Sequence, residues 1–180
     1  MFMKPTLPTL IVLVHYGFPH KETLSQYGAT QMAWVAHKIK AILPLIKKPT
    51  IVTVSSRSNI AMESANCLQE YIGNSMSHNN HDLFLADENP ELEKFNAVLA
   101  DVATAKNFSV AIFVLDKSAI EAAQNFFTKK YGIESQYTDK ISHGDSIFLF
   151  PEEGESRLLY NPVPEPEVVV THHRWGDETK

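Results

Sequence analysis

The chain has 180 residues, a hydrophobic fraction of 44% and a formal net charge of -5 at pH 7. A chain of this length buries most of its apolar surface in one core, and the composition is that of a globular domain. The mild negative charge gives no reason to expect a nucleic acid or an acidic membrane as a partner. The single cysteine, Cys67, excludes an intramolecular disulfide bond and a cysteine metal cluster. It lies on the apolar side of a predicted helix, so we expect a thiol packed in the core.

The first apolar run of the chain has the length of a strand and is bracketed by prolines. It is too short to span a membrane and lacks the layout of a signal peptide. We therefore expect a cytoplasmic protein, although a protein exported by a signal-independent route would have the same sequence features.

Three apolar segments have the composition of buried strands, and a helix-like segment follows each one. They cover residues 10–14, 51–54 and 110–114. Their near-continuous apolar character is typical of parallel strands that are buried on both faces. Their carboxyl ends should open on the same side of the sheet, where α/β proteins build ligand sites. The sequence thus predicts a three-layer α/β/α fold with a mainly parallel sheet, in one domain over residues 1–162.

Helical periodicity follows the first two strands. Apolar residues recur every three or four positions over residues 32–43, and Pro44 should end this helix. The same spacing recurs over residues 61–72, where either Ser55 or Ser56 can serve as the N-cap.

Further along the chain, residues 74–82 are polar and predict a loop. Pro90 has the position of a first-turn proline in a third helix. A fourth helix has its apolar face over residues 119–127, and Gly73 and Gly132 should terminate the second and fourth helices.

The last core elements predict a hairpin. Its strands are residues 147–150 and 157–160, and the turn between them contains Gly154. Residues 163–180 are expected to form an extended or partly disordered tail.

Four motifs, in order and at the same spacing, resemble the histidine phosphatase superfamily, which includes the phosphoglycerate mutases and the phosphohistidine phosphatases. The family's first strand ends in Leu-Val-Arg-His-Gly, and residues 13–17 read Leu-Val-His-Tyr-Gly. The family segments Leu-Thr-x-x-Gly-x-x-Gln-Ala and Ser-Ser-x-x-x-Arg-Ala-x-x-Thr-Ala are matched by residues 24–33 and 55–65. Residues 114–117 stand where the family has Val-x-His-Gly. The resemblance covers roughly residues 9–150 and implies a phosphoglycerate mutase-like fold.

The same resemblance implies that the residues of the family reaction are replaced. Tyr16 stands at the position of the nucleophilic histidine, and Asp116 stands at that of the second histidine. His15 and Ile60 occupy the positions of the two phosphate-clamping arginines. The family's frame is kept at Gly17 and Ser56. The resemblance therefore implies a pocket that keeps structural residues of the family and lacks its catalytic and phosphate-clamping residues.

Two interpretations are open for each residue after the first strand. Tyr16 could be a nucleophile, but the ordinary pKa of a tyrosine is about 10 and no general base stands beside it in the motif. Its ring could instead fill the vacated phosphate site. His15 could be a nucleophile displaced by one position, but such a shift turns a side chain to the opposite face of a strand. We expect His15 to point where the family's arginine does and to make a hydrogen bond.

Asp116 argues against phosphate chemistry, because a carboxylate about 4 Å from a phosphoryl oxygen costs about 4 kcal/mol at an effective dielectric near 20. Arg57, three residues before Ile60, would share its face on a helix and could replace the clamp, or it could be a solvated surface residue. Lys117 could bind an anion or pair with Asp116. His143 could lie near the mouth of the pocket.

Metal or cofactor chemistry is not indicated. His78, His81 and Asp82 have a loose metal-like spacing, but a structural zinc site normally needs four ligands. We expect neither a metal nor a cofactor.

Two functions from different classes follow. The first is a catalytically silent protein with a binding, scaffolding or regulatory role toward another protein or a small anionic ligand. The second is an enzyme with reassigned chemistry that acts on a small phosphorylated or anionic substrate. A Tyr16 ring filling the cleft favours the first function, whereas an open cleft faced by hydrogen-bonded His15 and Asp116 favours the second. The oligomeric state is left open. The candidate residues are His15, Tyr16, Gly17, Ser56, Arg57, Ile60, Asp116, Lys117 and His143.

Overall fold

A computed structural model describes residues 7–73, 92–105, 108–134 and 140–164, together with the backbone of residues 75–79. In chain order the elements are β1 (Leu10–His15), β2 (Pro19–His20), β3 (Thr23–Leu24), α1 (Gln26–Ile42), β4 (Ile51–Ser55), α2 (Asn59–Ile72), β5 (Ser75–Asn79), α3 (Leu92–Thr104), β6 (Val110–Leu115), α4 (Lys117–Tyr131), β7 (Ser146–Phe150) and β8 (Glu155–Leu159).

The central sheet has six strands in the order β5-β4-β6-β1-β7-β8. The strands β5, β4, β6 and β1 are mutually parallel, whereas β7 is antiparallel to β1 and β8 is antiparallel to β7. The predicted mainly parallel sheet and the predicted hairpin at 147–160 are both confirmed, with Gly154 in the turn at a φ of 67°.

Apolar side chains pack on both faces of the sheet. On one face, Ile11 and Leu13 of β1 belong to a cluster with residues of α3 and α4. On the other, Val12 and Val14 belong to a cluster with residues of α1 and α2. Burial on both faces explains the continuous apolar runs of these strands and confirms the three-layer α/β/α architecture.

Helix ends follow the sequence signals with one exception. Gly73 and Gly132 end α2 and α4 in left-handed conformations, with φ values of 91° and 69°. The predicted N-cap of α2 was wrong: Ser58 is the cap, and its hydroxyl accepts the N–H of Ala61 at 3.2 Å. The Ser56 N–H instead donates to the carbonyl of β6 at Val114, because the strand pairing continues past the end of β4.

The loop predicted at 74–82 was also wrong in part, because residues 75–79 form the edge strand β5, paired in parallel with β4. A strand at a sheet edge is held by backbone hydrogen bonds on one side, so it needs no apolar alternation. His78 lies in β5, whereas His81, Asp82, Pro90 and the tail beyond residue 164 fall outside the described residues.

Cys67 is half-buried rather than fully enclosed, and its Sγ lies 3.7 Å from the carbonyl oxygen of Ala29 in α1. Burial, followed by the charge of Glu70, raises the pKa of the Cys67 thiol. Across the described part of the chain, no helix combines the length and the apolar character needed to cross a membrane.

Candidate functional site

The carboxyl ends of β1, β4 and β6 meet at one edge of the sheet, as the sequence predicts. The register pairs Val114 of β6 with Val14 of β1 on one side and with Ser55 of β4 on the other. The chain leaves these three strands through Tyr16, Ser56 and Asp116, so the fold brings together the segments in which the candidate residues lie.

His15, the last residue of β1, is buried, with 6% of its surface exposed. Its ring stacks on that of His143, with the ring centroids 4.7 Å apart and the planes inclined by 19°. The ring hydrogen-bonds to the backbone of Ser142, whereas its Nδ1 atom has no hydrogen-bond partner among the described residues. His15 is therefore held by a stack and one hydrogen bond beneath a loop.

Burial dominates the electrostatics of His15 and, with the neighbouring charge of His143, lowers its pKa to about 4. The charge of Lys117 also lowers this pKa, and only the hydrogen bond to Ser142 raises it. The His15 imidazole is thus neutral at pH 7. It therefore supplies no positive charge that could hold an anion.

Tyr16 packs against the apolar cluster that contains Val12 and Val14, on the α1 and α2 side of the sheet. Its ring centroid lies 4.7 Å from that of His15 and 5.6 Å from that of His143. Burial, and then the charge of Asp116, raise the pKa of the Tyr16 phenol. The hydroxyl stays protonated at neutral pH, which makes it a weak nucleophile.

Asp116 is the N-cap of α4. Its Oδ1 atom accepts the backbone N–H of Ala119 at 2.7 Å and the hydroxyl of Ser118 at 2.9 Å. A side-chain oxygen at this position satisfies an N–H of the first helical turn. Lys117 is the exposed first residue of the same helix. The Asp116 carboxylate therefore has a structural task.

Ser56 is 1% exposed, and its Oγ atom has no hydrogen-bond partner within the described residues. Arg57 is exposed and precedes α2, which begins at Asn59. The expectation that Arg57 shares a helical face with Ile60 was wrong, because only Ile60 is inside the helix. Ile60 itself is partly buried in the first turn.

Gly17 lies where the first loop approaches α1 most closely. A Cβ atom on Gly17 would lie 2.6 Å from the carbonyl oxygen of Gly28, and one on Gly28 would lie 2.5 Å from that of Phe18. The Gly17 N–H donates to the buried Oγ of Ser64 at 3.1 Å. These glycines are required by packing, whatever the site binds.

The ring of His143 lies at the end of β1. Besides its stack on His15, its ring meets that of Phe18 edge-on, with centroids 5.5 Å apart. The backbone of the next residue fixes the loop, since the Gly144 N–H donates to the carbonyls of His15 at 3.0 Å and Tyr16 at 3.2 Å.

Polar residues that were not predicted from the sequence hold this loop. The carboxylate of Asp145, 3% exposed, accepts the backbone N–H of Ser142 at 2.8 Å and that of Asn161 at 2.7 Å. The Asn161 amide in turn donates to the carbonyls of Gln31 at 2.9 Å and Gly144 at 3.0 Å. Only the short run at 143–145 and an asparagine before a proline could have signalled this network.

No group of three or more His, Cys, Asp or Glu side chains within the described ranges is placed to hold a metal ion.

The sequence matches no protein-family model and no curated protein. Solved structures do match the fold. A phosphoglycerate mutase from Plasmodium falciparum is similar over 91% of this chain and 97% of its own, with a TM-score of 0.55 and 20% identity. A mycobacterial glucosyl-3-phosphoglycerate phosphatase in complex with VO3 is similar over 85% and 98%, with a TM-score of 0.59 and 13% identity.

A protein of Agrobacterium tumefaciens assigned as the phosphohistidine phosphatase SixA is similar over 87% of this chain and 99% of its own, with a TM-score of 0.58 and 12% identity. The chain thus has the phosphoglycerate mutase-like α/β fold that these histidine phosphatases and mutases share. At such identities the likeness concerns the fold, and function has to be argued from the site.

Proposed function

We propose that this chain is a catalytically silent member of the histidine phosphatase superfamily, a pseudoenzyme of the cytoplasm with a binding, scaffolding or regulatory role. The observation that carries the proposal is the use of Asp116 as the N-cap of α4. The residue at the position of the family's second histidine holds a helix start and adds negative charge where a phosphoryl group would need positive charge.

The residues after β1 support the same proposal. The phenol of Tyr16 is half-buried against apolar side chains and has a raised pKa. The imidazole of His15 is neutral, and its Nδ1 atom is buried beneath the loop that carries His143. Neither side chain has both the exposure and the charge that attack on phosphorus requires.

An enzyme with reassigned chemistry has less support. It requires His15 and Asp116 to face an open cleft as acid and base. His15 is instead enclosed by His143 and Tyr16, and the Asp116 carboxylate is occupied by α4. Arg57 and Lys117 are exposed at this edge of the sheet. Their positive charges suit a small anion or an acidic surface of a partner protein as the ligand.

The test is an assay of the purified protein with p-nitrophenyl phosphate, followed by trapping of acid-labile phosphate on the protein. An active phosphatase added to a parallel sample shows that the assay detects turnover. We expect neither hydrolysis nor labelled protein. Hydrolysis that disappears in Tyr16→Phe, or labile phosphate on His15, would overturn the proposal.

A further inference from the structure

The loop at residues 142–145 is attached to the domain through the immediate surroundings of His15. The Gly144 N–H donates to the carbonyls of His15 and Tyr16, and the His143 ring lies flat on the His15 ring. Through Asp145 and Asn161, the same loop holds the chain that follows β8. The loop and residues 160–164 therefore form one connected unit that rests on the end of β1 and, through Asn161, on Gln31 of α1.

The groups around His15 disfavour a positive charge on its imidazole. The loop brings the imidazole of His143, and α4 brings the ammonium of Lys117. The carboxylates nearby are already used: Asp116 caps α4, and Asp145 accepts two backbone N–H groups. Only the hydrogen bond to the Ser142 backbone favours a proton on His15, and it comes from the loop itself.

A proton on His15 has a simple way to reach water. The ring is 6% exposed under the loop, and its Nδ1 atom has no hydrogen-bond partner in the part of the chain that the structure describes. The strands β1 and β6 beneath it are buried on both faces and do not need to move. Lifting residues 142–145 would hydrate the imidazolium and separate it from His143, while Ile141, 5% exposed, stays packed in its apolar cluster.

We propose that the His15–His143 stack is an acid-sensitive latch, whose protonation releases residues 142–145 and 160–164 from the end of β1 while the sheet remains folded. The latch is a conformational device of this fold and does not depend on whether the site is catalytically silent. It would expose the carboxyl edge of β1, with Tyr16, at acidic pH.

Proton linkage determines how strongly the opening of the loop depends on pH. Burial lowers the pKa of His15 to about 4 in the closed state, and an exposed histidine has a pKa of about 6.5. One extra proton is bound on opening, so the opening equilibrium constant should rise about tenfold per pH unit as the pH falls through this interval. The rise should stop near the lower pKa.

Hydrogen exchange of the wild-type protein between pH 7 and 4.5 tests the latch, with each amide rate divided by its intrinsic rate at that pH. We expect the amides of Gly144 and His15, whose hydrogen bonds join the loop to the end of β1, to lose protection about tenfold per pH unit. Amides of β6, such as that of Ile112, exchange only on global unfolding and should stay better protected than the loop at every pH. His37→Gln, a substitution at an exposed histidine of α1, should behave as the wild type.

His15→Gln removes the titrating group and should make protection of the loop independent of pH. If this variant does not fold, the nitrogen resonances of the wild-type imidazoles replace it. The His15 ring must then titrate together with loop opening. Constant loop protection down to pH 4.5, loop protection no lower than that of β6 at acidic pH, or unchanged pH dependence in a folded His15→Gln would each overturn the latch.

Discussion

The carboxylate of Asp116 accepts the backbone N–H of Ala119 at 2.7 Å, which makes Asp116 the N-cap of α4. Replacing a side-chain cap with alanine leaves an N–H of the first turn without its acceptor. We expect Asp116→Ala to lower the free energy of unfolding by about 1 kcal/mol, measured by urea denaturation at pH 7.

Asp116→Ser is the matched control, because a serine hydroxyl also caps a helix, and it should retain most of the stability. If Asp116 were instead held for chemistry at a destabilised site, Asp116→Ala would leave the stability unchanged or raise it. That result would weaken the proposal of a silent site.

A second prediction concerns the acid side of the stability profile. Because burial lowers the pKa of His15 to about 4 in the folded state, the unfolded chain binds the proton more tightly. The contribution of His15 is fully present above its unfolded pKa of about 6.5 and is lost as the pH falls toward 4. Between pH 7 and 5 this group should cost the wild type up to about 2 kcal/mol, less if the latch opens first.

The measurement is urea unfolding at both pH values, for the wild type and for His15→Gln. The variant should lose less stability than the wild type over this interval by the amount that His15 contributes. Equal losses in the two proteins would show that carboxylates alone cause the loss of stability at acidic pH and that His15 is not held neutral.

The third prediction concerns Gly144, which combines a positive φ of 78° with a close contact. A Cβ atom here would lie 2.8 Å from both the amide nitrogen of Asn161 and the Cβ of Gln31. Gly144→Ala should therefore destabilise the protein by about 1 to 3 kcal/mol beyond the cost of the φ angle alone. Thermal and urea unfolding would measure the difference.

Gly132→Ala isolates the backbone cost, since Gly132 has a φ of 69° and a Cβ atom added there would meet nothing within 4 Å. We expect this control to cost about 1 kcal/mol. Equal losses in the two variants would mean that the loop yields to a methyl group and is held less tightly than its hydrogen bonds indicate.

Sequence reasoning succeeded where a physical pattern was local. The runs over β1 and β6 are apolar because those strands are buried on both faces, and Gly73 and Gly132 mark helix ends because few other residues adopt a left-handed φ. It failed for β5, because the sequence of this edge strand has no alternation of apolar and polar residues that would indicate a strand. It also misplaced the start of α2, where several serines were available and Ser58 is the cap.

The outline of the site was predicted because it also depends on a local pattern, that of the parallel strands. Parallel strands bring their carboxyl ends to one edge, so the segments of Tyr16 and Asp116 were expected to meet there. The bonds from Asn161 to Gln31 and Gly144 were not foreseeable, because Gln31 and Asn161 are 130 residues apart and no motif links them. The role of Asp116 had a local signal, because an aspartate directly before a helix is a common N-cap.

The last prediction is that Tyr16→His alone does not restore phosphatase activity. It would place an imidazole beside Asp116, with neither clamp arginine and with a neutral His15 at the position of the first. Positioning and charge stabilisation act as a unit in such sites, so their loss is strongly non-additive. We expect no hydrolysis of p-nitrophenyl phosphate above background from a folded Tyr16→His protein.

The smallest combination that could restore some activity is His15→Arg, Tyr16→His, Ile60→Arg and Asp116→His. It would introduce positive charge where His15 is now buried and would remove the cap of α4, so folding has to be verified by circular dichroism first. Robust turnover by Tyr16→His alone would show that Arg57 and Lys117 already hold a phosphoryl group, and the site would then be one substitution away from catalysis rather than four.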